Sequence, residues 1–165
     1  MNHRFQRISP FLWFDEQAEE AANFYVSVFD NSRILAVTRY DSEAAKATGR
    51  PAGSVMTVAF ELDGQRFTAL NGGPVFAFNP AMSLVVNCRT QEEIDHYWNA
   101  LSQGGDPAAQ QCGWLADRFG VSWQVVPMQL VELLTAGDSA KAQRVMKAVL
   151  AMKKLELDVL QKAAA

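Results

Sequence analysis

The sequence is built from two related halves, and few folds accommodate that. Ala18-Glu19-Glu20-Ala21-Ala22-Asn23-Phe24-Tyr25 resembles Gln91-Glu92-Glu93-Ile94-Asp95-His96-Tyr97-Trp98, with the acidic pair and the aromatic pair coinciding. Each block follows an apolar extended run, Ile8 to Phe14 in the first half and Met82 to Cys88 in the second. Each half closes on a comparable run: Gly64-Gln65-Arg66-Phe67-Thr68-Ala69-Leu70 aligns with Gly120-Val121-Ser122-Trp123-Gln124-Val125-Val126. Three blocks matching in the same order point to an internal duplication. The end runs are spaced more closely than the helices, so the second copy has lost residues in its middle.

Periodicity supplies the elements. Ala18, Ala21, Ala22, Tyr25, Val28 and Phe29 form a helical stripe, with Asp15 as the expected N-cap. Ile94, Tyr97, Trp98 and Leu101 make the equivalent stripe, with Thr90 and Glu93 as a capping box and Gly104-Gly105 as the stop. Strand-like runs rich in Val, Phe and Trp cover 33–40, 54–62, 66–70, 114–118 and 121–126. Gly64 and Gly120 fall where tight turns are needed. The polar, small-residue stretch 41–53 reads as a loop. The segment 71–80 reads as a connector, in which Phe76 and Phe78 either cover a cleft or pack across a dimer. After Pro127 the pattern is helical, with Ala142, Val145, Met146, Val149 and Met152 on one face. Each half therefore reads as strand, helix, then about three strands, followed by a helical tail: a single α+β domain over 1–165, with modules at 8–71 and 82–127 and a tail at 128–163.

Charge and composition narrow the function. Lys+Arg 15 against Asp+Glu 18 gives a net charge of −3, which argues against a nucleic-acid or anionic-membrane partner. No apolar run approaches the roughly 20 residues that span a bilayer, and the N-terminal residues lack a signal-peptide pattern. Two cysteines are too few for a disulfide framework. A cytoplasmic protein is expected.

The segments Gly72-Gly73-Pro74, Cys112-Gly113-Trp114-Leu115 and Asp117-Arg118-Phe119-Gly120-Val121-Ser122-Trp123-Gln124-Val125-Val126-Pro127, with the tail Met152-Lys153-Lys154-Leu155, resemble the PhnB-like family. That family lies within the vicinal oxygen chelate, or glyoxalase/bleomycin resistance, superfamily, and many of its members carry a demethylubiquinone 3-methyltransferase-like description. The resemblance runs from about Ile8 to Ala163. It implies two βαβββ modules enclosing a small-molecule cleft, plus C-terminal helices, assembled as a homodimer.

Enzymes of the superfamily hold a divalent metal with His and Glu from the first and last strands of each module. Carried over singly, those positions fall on Pro10 (or Ser9), Ser83, Thr68 and Gln124. None is a carboxylate or an imidazole, so no metal of that type is expected. His3 and His96 are poor alternatives, one at the chain end and one on a helix. A methyltransferase of the Rossmann type needs a glycine-rich strand-to-helix loop. The ten glycines form none, and no cofactor is expected.

Strand parity then selects a cleft face. With Trp123 and Val125 under the helix, Ser122, Gln124 and Val126 face the cleft. The repeat adds Arg66, Thr68 and Leu70; the first strands add Pro10, Leu12 and Phe14, and Ser83, Val85 and Asn87. Candidate ligand-binding residues are Thr68, Ser83, Trp114, Ser122, Gln124 and Cys112, a set suited to a neutral or aromatic ligand. The plainer alternative is that Gln124, Thr68 and Ser83 satisfy one another in a filled interior. Cys112 reads either as a nucleophile near Arg118 or as a small buried hydrophobe, and Trp114 as a stacking surface or as core. Two functions follow: a metal-independent small-molecule-binding protein, or an enzyme on the same scaffold using Gln124, Thr68 and Cys112.

Overall fold

The computed structural model describes residues 5–165, and the chain divides into two compact units, Met1–Ala77 and Phe78–Ala165. The first unit runs β1 (Phe11–Phe14), α1 (Ala18–Val28), β2 (Arg33–Arg39), α2 (Ser42–Thr48), β3 (Val55–Leu62) and β4 (Gln65–Asn71). Its sheet has the order β1-β4-β3-β2, with β1 parallel to β4 and the other pairs antiparallel. The second unit runs β5 (Leu84–Cys88), α3 (Gln91–Ser102), β6 (Trp114–Ala116) and β7 (Ser122–Pro127), in the order β5-β7-β6 with β5 parallel to β7. Three helices follow: α4 (Gln129–Thr135), α5 (Ser139–Ala151) and α6 (Leu157–Ala164).

The duplication is visible in the topology. The two aligned end runs are β4 and β7, and each lies parallel to the first strand of its own unit. The second unit is the βαβββ order shortened by one strand. Between Ser102 and Trp114 the chain fits only a short 3-10 turn, Pro107–Ala109, which is where the sequence loses residues.

In the first unit α1 buries Ala18, Ala21, Ala22, Tyr25 and Val28 against the sheet. Its partners there include Val58, Phe60 and Ala69, each fully buried. The expected Asp15 cap is not used. The helix starts at Ala18, and Asn71 at the end of β4 accepts the Ala18 N–H at 2.8 Å. The orphan donor is satisfied across the fold rather than within the turn. The stretch 41–53, expected as a loop, contains α2. Asp41 caps it by accepting the Ala44 N–H, and Gly49 ends it at φ +73°. No residue of α2 is buried, so it carries no apolar stripe for periodicity to find.

In the second unit Ile94, Trp98 and Leu101 of α3 are buried, and Thr90 caps as expected by accepting the Glu93 N–H, while the Glu93 carboxylate accepts from the Arg89 N–H at 2.6 Å, one residue before the cap. Asp117 organises the β6–β7 hairpin. It is buried and accepts from the N–H groups of Phe119 and Val121 and from Trp123 Nε1 at 2.8 Å. Val145, Val149, Leu155 and Leu160 form an apolar cluster among the terminal helices. Among the described residues, no helix is long and apolar enough to cross a membrane.

Candidate functional site

A sheet covered by one helix layer has a second face, and strand register identifies what lies on it. In the second unit Val86, Cys88, Trp123 and Val125 are buried on one side. Gln124 lies level with Val85 and Trp114, Val126 with Asn87, and Ser122 with Ala116, on the other. Four of the candidate residues thus belong to one face. Gln124 donates from Nε2 to Ser83 Oγ at 2.9 Å, Trp114 lies beside them, and Ser122 is buried two residues earlier on β7. The amide and hydroxyl satisfy each other, while Val85 and Asn87 beside them remain exposed.

Cys112 does not share this face. It has φ +55°, its N–H donates to Met152 O at 2.8 Å, and its side chain packs against the apolar cluster of the terminal helices. Cys88 is fully buried, and that burial pushes its thiol up to about 12, with Glu93 adding to the shift.

Thr68 belongs to the first unit. Its sheet face carries Arg66, Thr68 and Leu70 of β4, level with Glu61, Ala59 and Thr57 of β3. Here the parity expected for β1 is corrected. Leu12 and Phe14 are level with Ala69 and Asn71 and lie buried on the helix side, so the open face holds Phe11 and Trp13. Through the aligned pair Thr68 and Gln124, Phe11 and not Leu12 is the counterpart of Val85 in the second unit. A one-residue slip in such an alignment exchanges the two faces.

Two features of the first unit were not singled out from the sequence. One is Glu61, which lies on the open face yet is only 6% exposed, hydrogen-bonded to Arg33 at 3.0 Å and ion-paired with Arg66 at 3.5 Å. Its signal was an acidic residue in a strand whose other residues, Thr57 apart, are apolar. The other is a cavity of about 330 Å³ near the start of α1, lined by residues including Glu16, Glu19, Arg50, Ser54 and Asn71. Arg50 bonds Glu16 at 3.2 Å there, and its Nε is buried with no hydrogen-bond partner.

The residues do not fit a superfamily-type metal. Thr68, Ser83 and Gln124 offer neutral oxygens, and Ser83 already accepts from Gln124. Among the described residues, no three His, Cys, Asp or Glu side chains are grouped to hold a metal ion. His96 is exposed on α3 with its ring edge-on to Tyr97, and His3 lies outside the described residues.

A family profile described as 3-demethylubiquinone-9 3-methyltransferase matches residues 6–126. A PhnB protein from Bacillus cereus is 41% identical over 74% of this chain and 99% of its own, with a TM-score of 0.63. Protein PA1353 from Pseudomonas aeruginosa shares the fold at 22% identity and TM-score 0.57, covering 74% of this chain and 98% of that one. A glyoxalase/bleomycin resistance protein from Albidiferax ferrireducens aligns at 12% identity and TM-score 0.45, over 74% and 98%. No curated protein matches the sequence. With a profile match over most of its length and a relative of this similarity, the chain belongs to the 3-demethylubiquinone-9 3-methyltransferase, or PhnB-like, family.

Proposed function

We propose that this PhnB-like protein binds a small organic molecule on the open faces of its sheets, and that it does so without a divalent metal. The observation that carries this reading is the chemistry of the second unit's open face. Its polar groups are an amide and a hydroxyl bonded to each other, beside a half-buried tryptophan and exposed Val85. Such a surface recognises a ligand by shape, aromatic contact and neutral hydrogen bonds.

The family's printed description names a methyl transfer, and the strand-to-helix turns bear on it. Asp15-Glu16-Gln17 connects β1 to α1, and Arg89-Thr90 connects β5 to α3. Neither turn contains the glycines that let a backbone approach a nucleotide cofactor. We therefore read the protein as a binding or sensing module and not as a Rossmann-type transferase.

The test is a two-dimensional NMR titration of the full chain with a panel of neutral aromatic fragments. Shifts should concentrate on the Gln124 amide, the Trp114 indole and their neighbours, and Gln124→Ala should weaken binding several-fold while the fold persists. Shifts scattered over the whole surface, or none, would contradict the reading. A homodimer in a cytoplasmic setting is proposed with it, supported by exposed Leu35 and Val37 on edge strand β2 and by two unpaired cysteines. Light scattering that returns a monomer at every concentration would refute the dimer.

A further inference from the structure

We infer that the open face of the first unit takes an elongated organic anion, an aromatic body lying along β4 with its acidic group on the outer, exposed side of the Arg33 and Arg66 guanidiniums. This names a ligand class for one of the faces proposed above and rests on that reading.

The charged end comes first. Arg33, Glu61 and Arg66 stand level on β2, β3 and β4. Glu61 receives Arg33 Nε on one oxygen at 3.0 Å and Arg66 Nε on the other at 3.5 Å, and its side chain is 8% exposed. One carboxylate thus holds two guanidiniums, and the group carries a net positive charge. A partner for Glu61 alone would require only one cation. Arg33 donates from Nε to Glu61 and Arg66 Nε is ion-paired with it, while the two side chains remain 60% and 57% exposed, so their outer donors face solvent or ligand. Paired forks already held in place suit a carboxylate or phosphate, because less ordering remains to be done on binding.

The aromatic end lies further along the same face. Trp13 is level with Leu70, four residues beyond Arg66, which at the rise of a strand is about 13 Å. Its indole is fixed in three ways. Nε1 donates to Gly73 O at 2.9 Å, the ring meets Phe76 edge-on at 5.0 Å, and it lies against Gly72, where a Cβ would come within 2.3 Å of it. Phe76 is 64% exposed and extends the aromatic surface. Between the two ends the face is floored by Ala59 and Thr68, with Thr38 and Thr57 sharing a 2.5 Å hydroxyl contact to one side. A low floor with a cationic pair at one end and fixed rings at the other complements an aromatic anion.

The probes are biphenyl-4-carboxylate and its neutral amide, titrated into the full chain by NMR at low salt. The carboxylate should bind about tenfold more tightly than the amide, the increment of a hydrogen bond to a charged group. Shifts should fall on Thr68, Ala59 and the Trp13 indole, and added sodium chloride should narrow the ratio. Arg66→Gln should abolish the preference by weakening the carboxylate about tenfold. The triple variant R33Q/E61Q/R66Q leaves no unpaired buried carboxylate and should do the same with the fold intact. A carboxylate that binds no tighter than the amide, fails to bind, or keeps its advantage in the triple variant overturns the inference. The broader open-face reading is tested separately by the neutral panel, and falls if that panel leaves both faces unperturbed or shifts the whole surface alike.

Discussion

Gly72 and Gly105 are fixed by what a methyl group would meet. A Cβ at Gly72 would lie 2.3 Å from the Trp13 ring, and one at Gly105 would lie 2.1 Å from Ala116 O. Neither neighbour moves freely, since the indole is bonded to Gly73 and Ala116 belongs to β6. Gly72→Ala and Gly105→Ala should each cost about 1–3 kcal/mol in chemical denaturation, the range for overpacking. Unchanged midpoints would show that the ring or strand yields at little cost. Asn71 belongs to the same scale. It is buried, accepts the Ala18 N–H and donates to Val55 O at 3.2 Å. Asn71→Ala should destabilise by about 1–3 kcal/mol, because it leaves a buried donor and acceptor unmatched. The sequence made the glycines visible as a Gly72-Gly73-Pro74 motif but gave no reason for them, since the reason is a ring far away in the chain. The Asn71 cap was illegible for the same cause: Asp15 had the right local chemistry, and a residue from the opposite end of the module took the role.

Among the elements, those with an apolar stripe or an alternating run were readable to within a few residues, because burial of one face imposes the period. The exception, α2, buries nothing, and its only signals were the Asp41 cap, the alanines and Gly49. The facing of β1 was lost for a different reason: its four residues, Phe11-Leu12-Trp13-Phe14, are all apolar, so parity had to be borrowed from an alignment that slipped. The terminal segment shows what holds an element whose packing is modest. Gln91 donates to Leu155 O and accepts from Leu157 N–H at 2.8 Å, clasping the chain just before α6. Lys154 joins Asp95 and Glu156 alongside. Its hydrogen bond is the main reason the Asp95 carboxyl sits below its usual value, and Asp95 in turn is the main reason the Lys154 ammonium sits above its own. A lowered carboxylate stabilises above its unfolded value and stops doing so as pH falls through the folded one. A raised lysine stabilises below its unfolded value and stops as pH climbs through the folded one. The ion pair therefore contributes from about pH 4 to about pH 10, weakly because it is half-exposed and screened by solvent. Amide exchange at Leu157 should accelerate strongly in Gln91→Ala and only slightly in Asp95→Asn. The reverse order would make the ion pair, not the amide clasp, the principal tie.

At the level of the molecule, the duplication legible in three short blocks corresponds to two sheets, each with its closing strand parallel to its opening one. The family resemblance carried by the segments around Cys112 and Trp123 agrees with the profile match and with the 41% identical relative. The residue types at the candidate site were legible as well, because Thr68, Ser83 and Gln124 are neutral whatever the fold does with them. What they do there required the fold. Ser83 and Gln124 prove to be each other's partners, Cys112 belongs with the terminal helices, and Glu61 enters the open face held by two arginines. The proposed binding faces should need no divalent metal. Elemental mass spectrometry of the purified full chain, paired with thermal melts in added nickel, zinc, manganese or magnesium, checks this. The predicted result is no metal near one per chain and no rise in Tm with any of the four. A metal that co-purifies near one per chain and raises Tm would contradict metal-independent binding.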